Sequence, residues 1–113
     1  MLSGLMKRLT SGASDNAIAH DDFLAALKAK THTLVDVREV REFHSGAIPG
    51  AINVPLSAFD PARIPAGKPV ILYCATGARS GMALRALHQA GREDAVHYRP
   101  GVTGWRLQGG RLV

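Results

Sequence analysis

The sequence predicts an α/β domain built on a mostly parallel sheet, and three observations carry that expectation. Short apolar and β-branched runs alternate with helix-like runs across about 100 residues. The chain has 113 residues and is 46% apolar, which fits one globular core, with no repeat, low-complexity tract or linker to divide it. Its most apolar run, "PVILYC", ends on the only cysteine, and the carboxyl ends of strands are where open parallel sheets bind ligands.

The elements follow in order. Residues 1–13, "MLSGLMKRLTSGA", place Met1, Leu2, Leu5, Met6 and Leu9 at roughly helical spacing around Lys7 and Arg8, so they form a weakly amphipathic leader, with the domain proper over 14–113. "NAIA" is a short strand candidate. His20 or Asp21 opens "DDFLAALKAK", where Phe23, Leu24 and Leu27 share a helix face and the acidic residues suit the N-terminal turn. "TLVDV", residues 33–37, is the β-branched type of run that parallel sheets bury. "REVREFHSG" is a short helix stopped by Gly46, and "AINVPL" is a strand ended by Pro55. A proline-punctuated loop leads to "PVILYC". A helix from Ser80 follows, with Ala83, Leu87 and Ala90 on one stripe, Leu84 and Ala86 beside it, and Gly91 as its stop. "AVHY" is the last strand, and "GVTGWRLQGG" a final helix or turn.

Composition excludes several classes. No stretch approaches the ~18 apolar residues of a membrane span, and the leader lacks the unbroken apolar core of a secretory signal. One cysteine allows no internal disulfide, so nothing argues for an oxidising compartment, and the expected location is cytoplasmic. With one thiol and no histidine pair at i, i+4 spacing, neither a metal site nor a cofactor is expected. Charge is uneven. Residues 61–113 carry eight Lys/Arg against two Asp/Glu, whereas residues 1–60 carry six against seven. The cysteine lies in the basic half, whose field favours small anions. The arginines are dispersed and aromatics are only 5%, so nucleic acid is not the expected partner.

The loop "CATGARS" has the chemistry of a thiolate cradle. If Cys74 to Arg79 curl around the sulfur, their backbone N–H groups and those of the next helical turn converge on it and stabilise negative charge. The thiolate is the reactive form of cysteine. Ala75 and Ala78 keep the rim small, and Gly77 supplies the left-handed or otherwise strained backbone a tight curl needs. Arg79 brings a planar cation suited to oxyanions, and Ser80 is a good N-cap whose hydroxyl also faces the pocket.

With those residues in place, the chain resembles a single-domain rhodanese of the sulfurtransferase family. "LVDVREVREFHSGAIPGAINVPL", residues 34–56, is similar to the family's Asp-x-Arg, Glu-Phe-x-x-Gly and Ile-Pro-Gly-Ala-x-Asn-x-Pro; "YRPGVTGW", residues 98–105, resembles its glycine turn before a tryptophan. The resemblance implies a three-layer rhodanese-like fold with a central, mostly parallel five-stranded sheet flanked by helices. It implies that Cys74 takes up a sulfane sulfur as a persulfide, that Ala75, Thr76, Gly77, Ala78, Arg79 and Ser80 bind substrate, and that Asp36, Arg38 and Glu42 support the site. Trp105 is expected in the core. Two departures stand out: Ala47 where the family commonly has histidine, and Pro100-Gly101 where it has a glycine pair.

The implied activity is thiosulfate sulfurtransferase chemistry. A small anionic donor, thiosulfate or a polysulfide before 3-mercaptopyruvate, would charge Cys74, and cyanide, a thiol or a protein would discharge it. Two alternatives compete. One is a relay module that docks a protein through Arg63, Arg85, Arg92 and Arg99. The other is phosphatase or arsenate reductase chemistry, for which the related loops are Cys-x5-Arg, one residue longer than Cys74-x4-Arg79.

Overall fold

The computed structural model describes residues 16–113, so the leader expected over 1–13 lies outside the described residues. Four strands, β1 (Thr33–Asp36), β2 (Ile52–Asn53), β3 (Val70–Tyr73) and β4 (Ala95–His97), form one parallel sheet in the order β2-β1-β3-β4. Helix α1 (His20–Ala29) precedes them and α2 (Val40–His44), α3 (Ala78–Gln89) and α4 (Gly101–Leu107) connect or follow them, with two 3-10 turns at Leu56–Ala58 and Pro61–Arg63. Among the described residues no helix is long and apolar enough to cross a membrane.

The expected fifth strand is reduced to a single bridge. Ala17 pairs with His97: the Ile18 N–H donates to His97 O and the His97 N–H to Asn16 O, both at 3.0 Å. Asn16 sits at φ +49°, a left-handed conformation outside the extended region of a strand. "AINVPL" is likewise shorter than its composition implies, because only Ile52 and Asn53 keep register with Val35 and Asp36.

Strand alternation divides the core into two layers. Val35, Val37, Val70, Leu72 and Ala95 face one side and pack on Ala83, Leu84 and Leu87 of α3. Leu34, Ile71, Tyr73 and Tyr98 face the other, against Phe23 and Ala26 of α1, Ile48 and Trp105 of α4. Trp105 is a core residue as expected: its ring meets Phe23 edge-on at 5.7 Å and its Nε1–H donates to Arg111 O at 2.9 Å. Two expected helix faces need correction. Leu24 of α1 is 42% exposed and Ala26 takes its place inward. Ala90 is the exposed C-cap of α3 rather than part of its stripe, because Gly91 at φ +92° lets the Arg92 N–H close back onto Leu87 O.

One buried polar network ties the first motif to the sheet. Asp36, fully buried, receives the Arg38 backbone N–H at 2.9 Å and the Arg38 guanidinium at 2.7 and 3.0 Å. Arg38 Nη2 also donates to Gly46 O at 2.7 Å, and Asn53 Nδ2 donates to the Asp36 and Arg38 carbonyls. Tyr73, the register partner of Asp36, accepts the Ile48 N–H at 3.0 Å; burial first, then the Asp36 carboxylate, raises its phenol well above the usual range. The departure at Ala47 leaves no orphan: Ala47 and Val113 exchange backbone hydrogen bonds at 3.0 and 2.8 Å, and among the described residues every buried side-chain N or O has a partner.

Removing one member of a buried ion pair strands the other's charge. Arg38→Met is therefore expected to lose about 3–5 kcal/mol in urea melts, whereas a surface change such as Arg106→Met stays within about 0.5 kcal/mol.

Candidate active site

Alternation along β3 decides where the thiol goes. Val70 and Leu72 face α3, so Cys74, the next residue of that parity, also turns toward α3 and its N-terminus. Cys74 is buried, with 1% of its surface exposed, yet its sulfur has polar company. The Gly77 N–H donates to Sγ at 3.1 Å and the Ser80 N–H at 3.3 Å, and the Ser80 hydroxyl oxygen lies 3.7 Å away. Hydrogen bonds to a charged acceptor contribute about 1.5–3 kcal/mol each.

The helix begins earlier than its sequence implies, and this corrects the assignment of Ser80 as its cap. Gly77 is the N-cap, at φ +100° and with no side chain to offer, so Ala78 and Arg79 already lie in the first turn and Ser80 is the third helical residue. An N-cap side chain ordinarily accepts the N–H of that third residue. Here the sulfur of Cys74 accepts it instead. Gly77 is fixed from outside as well, since an added Cβ would lie 2.7 Å from the Arg99 carbonyl oxygen.

Carbonyl groups of the loop are drawn the other way. Cys74 O accepts the Val102 N–H at 3.0 Å, and Ala75 O accepts the Thr103 N–H at 3.1 Å, both from the first turn of α4. Gly101 permits this contact, because any Cβ there would sit 2.5 Å from both oxygens. The turn "YRPG" thus presses directly on the back of the cysteine loop, a function its sequence does not announce.

Burial pushes the Cys74 thiol up. The N–H and hydroxyl of Ser80 and the N–H groups of Gly77 and Thr76 pull it down, and together they win, so the thiol ionises below its ordinary value. Thr76 and Ala78 form the exposed rim, with Ala75 and Gly77 half-buried and Ser80 fully buried behind them.

Arg79 arrives at the loop already engaged. Its two terminal nitrogens hold Glu42 of α2 at 2.7 and 3.0 Å in a bidentate pair, and Glu42 also accepts the Glu39 N–H at 3.0 Å as part of the capping box of α2. The Arg79 fork, despite the cost of partial burial, holds the Glu42 carboxyl at about 2. Asp36 and Arg38 are not brought to the sulfur. They lie on the opposite face of the sheet, where they fix Tyr73, the residue before Cys74. One buried polar residue near the site was not singled out from sequence: His97 of β4, whose Nδ1 lies 2.8 Å from the Ser80 hydroxyl oxygen.

A strand ending in cysteine, a glycine-turned loop and a following helix, with the Asp36 network behind them, match a known domain type: the model of the rhodanese-like domain covers residues 19–108. The chain belongs to the rhodanese-like family. It is 37% identical over 83 residues to a sulfurtransferase of Allochromatium vinosum, an alignment covering 71% of this chain and 77% of that one. An uncharacterized protein of Synechocystis is 42% identical over 78 residues, 67% of this chain but only 44% of its relative's length. Among solved structures, a rhodanese-related protein of Thermoplasma volcanium superimposes with a TM-score of 0.77 at 30% identity, covering 87% of this chain and 97% of that one.

Two measurements check the site. Absorbance of the thiolate, or the pH dependence of alkylation, is expected to place Cys74 ionisation below that of a free thiol. Gly77→Ala, which forces a side chain into a left-handed position against Arg99 O, should return it toward the ordinary value. Because the folded pKa is the lower one, the linked stabilisation is full above the unfolded thiol's pKa and is lost as pH falls through the folded value. NMR titration of Glu42 should give a midpoint near 2, rising toward the usual carboxylate range in Arg79→Ala.

Proposed function

We propose that the domain is a sulfurtransferase that carries sulfane sulfur on Cys74. The observation that supports it above others is the sulfur's place: buried at the carboxyl end of β3, accepting two main-chain N–H bonds at the head of a twelve-residue helix. The Cys74 thiolate attacks the outer sulfur of thiosulfate, forms a sulfur–sulfur bond and displaces sulfite, which leaves with the electron pair of the broken bond. The persulfide anion then sits where the same N–H groups can hold its charge. An acceptor such as cyanide bonds to the outer sulfur, leaves as thiocyanate and returns the thiolate. A polysulfide donor, or a thiol or protein acceptor, follows the same balance.

Splitting the transfer in two implies ping-pong kinetics. The chain has one cysteine, so no internal thiol can resolve the persulfide into a disulfide, and the sulfur must leave with an external acceptor. Arg79 supplies positive charge beside the loop while Glu42 keeps its fork in one orientation, so main-chain donors, not a free guanidinium, receive the reacting sulfur. Asp36, Arg38 and Glu42 act as supports for the loop.

Intact-protein mass after thiosulfate treatment should rise by ~32 Da, one sulfur atom, and fall back on adding cyanide. Cys74→Ser should show neither change and no turnover. Hydrolysis of p-nitrophenyl phosphate by the wild type, with no gain of mass from thiosulfate, would overturn the assignment in favour of phosphoryl chemistry.

A further inference from the structure

Behind the sulfur lie two buried polar side chains that the exchange above does not use. Ser80 is fully buried and His97 is 4% exposed. Their meeting follows from register: His97 pairs with Leu72 on β3 and shares its parity, so its ring points to the same face as Leu72 and Cys74, under the first turn of α3. Ser80 Oγ stands 2.8 Å from His97 Nδ1, 3.2 Å from Gly77 O and 3.7 Å from Cys74 Sγ.

A hydroxyl has one hydrogen to give. If His97 Nδ1 accepts it, nothing is left for the sulfur, and Ser80 Oγ faces the Gly77 carbonyl lone pair to lone pair. If Nδ1 carries hydrogen and donates, the Ser80 hydrogen is released to Gly77 O or to the sulfur, and a negative sulfur draws it. We propose that His97 is a positioning residue for Cys74: its Nδ1–H donates to Ser80 Oγ and so turns the Ser80 hydroxyl toward the sulfur as a third donor. The donors polarise one another along the chain His97, Ser80, Cys74, which strengthens the last bond. The inference rests on Cys74 acting as a thiolate, and it assigns His97 no contact with substrate.

Other titratable or cationic side chains stand at both ends of this chain of groups. Arg85 and His88 of α3 and Arg99 beyond β4 line, with His97, one cleft of about 410 Å³. At the sulfur end Arg79 is the nearby cation, already paired with Glu42.

The chain's single cysteine makes the test direct, because thiolate absorbance and iodoacetamide alkylation then report Cys74 alone. His97→Leu is expected to raise the thiolate pKa by about one unit and to slow alkylation at a pH below it about tenfold. His97→Asn, whose amide Nδ2 can stand where Nδ1 stood and donate, should keep both values within about twofold of the wild type on the same reasoning. In a Ser80→Ala background, His97→Leu should add no further shift. Urea midpoints verify that each variant is folded. Should His97→Leu not fold, His97→Gln replaces it, since its longer side chain carries the amide past that position. Asn and Leu (or Gln) variants shifted alike, an unshifted Leu variant, or additive effects in the double variant would each overturn the proposal. None of these readouts uses a sulfur donor, so the His97 role can fail while thiosulfate still charges Cys74. The sulfurtransferase reading can equally fail while the His97 shift is observed.

Discussion

The main chain from Cys74 to Ser80 can turn its N–H groups toward the sulfur only because two of its carbonyl oxygens are held elsewhere. Cys74 O and Ala75 O are taken by the first turn of α4, and Gly101 is the residue that allows the two segments to touch. A peptide unit is planar, so fixing one oxygen outward fixes the neighbouring N–H as well. Gly77, at φ +100°, then reverses the chain into α3, and the N–H groups of Gly77 and Ser80 arrive at Sγ. The cradle is therefore built from two glycines far apart in sequence, one inside the loop and one behind it.

Burial and ionisation oppose each other at this sulfur. The hydrophobic layer that receives Cys74 disfavours a charge, and the donors around it favour one. A thiolate reached by solvent would need less help and would gain less from it. Water-poor surroundings strengthen each hydrogen bond to the charge. The sulfur also serves the fold, as it takes the role of the missing cap side chain at α3.

Polar networks on the two faces of the sheet have different tasks. On the α1 and α4 face, Asp36, Arg38 and Tyr73 lock the ends of β1 and β3 together and hold the segment of Gly46 and Ile48 against them. On the α3 face, Ser80 and His97 stand directly behind the sulfur. Glu42 and Arg79 join the two halves at the surface, linking α2 to the first turn of α3. Being about one-third exposed, that pair contributes geometry more than stability.

Much of the molecule was legible from residue order because it depends on local chemistry. β-branched runs became β1 and β3, glycines at 46 and 91 ended helices, and the strand end at Cys74 followed from the apolar run before it. The motifs of residues 34–56 and 98–105 carry the family's signature in residue order alone. Local chemistry also misled where two signals competed: Ser80 has a cap residue's side chain, but the glycine before it could adopt the backbone that starts the helix sooner. What no local pattern holds is register. Whether His97 faces Cys74 or turns away depends on which β3 residue it pairs with, and a slip of one position would reverse it. Likewise the carbonyl contacts of Gly101, the Glu42 partner of Arg79 and the pairing of Ala47 with Val113 join residues that only the folded sheet brings together. The sequence by itself determined the α/β fold class and pointed to the cysteine and its loop; the tertiary structure decided which groups surround the sulfur, because parity and packing between distant segments set them.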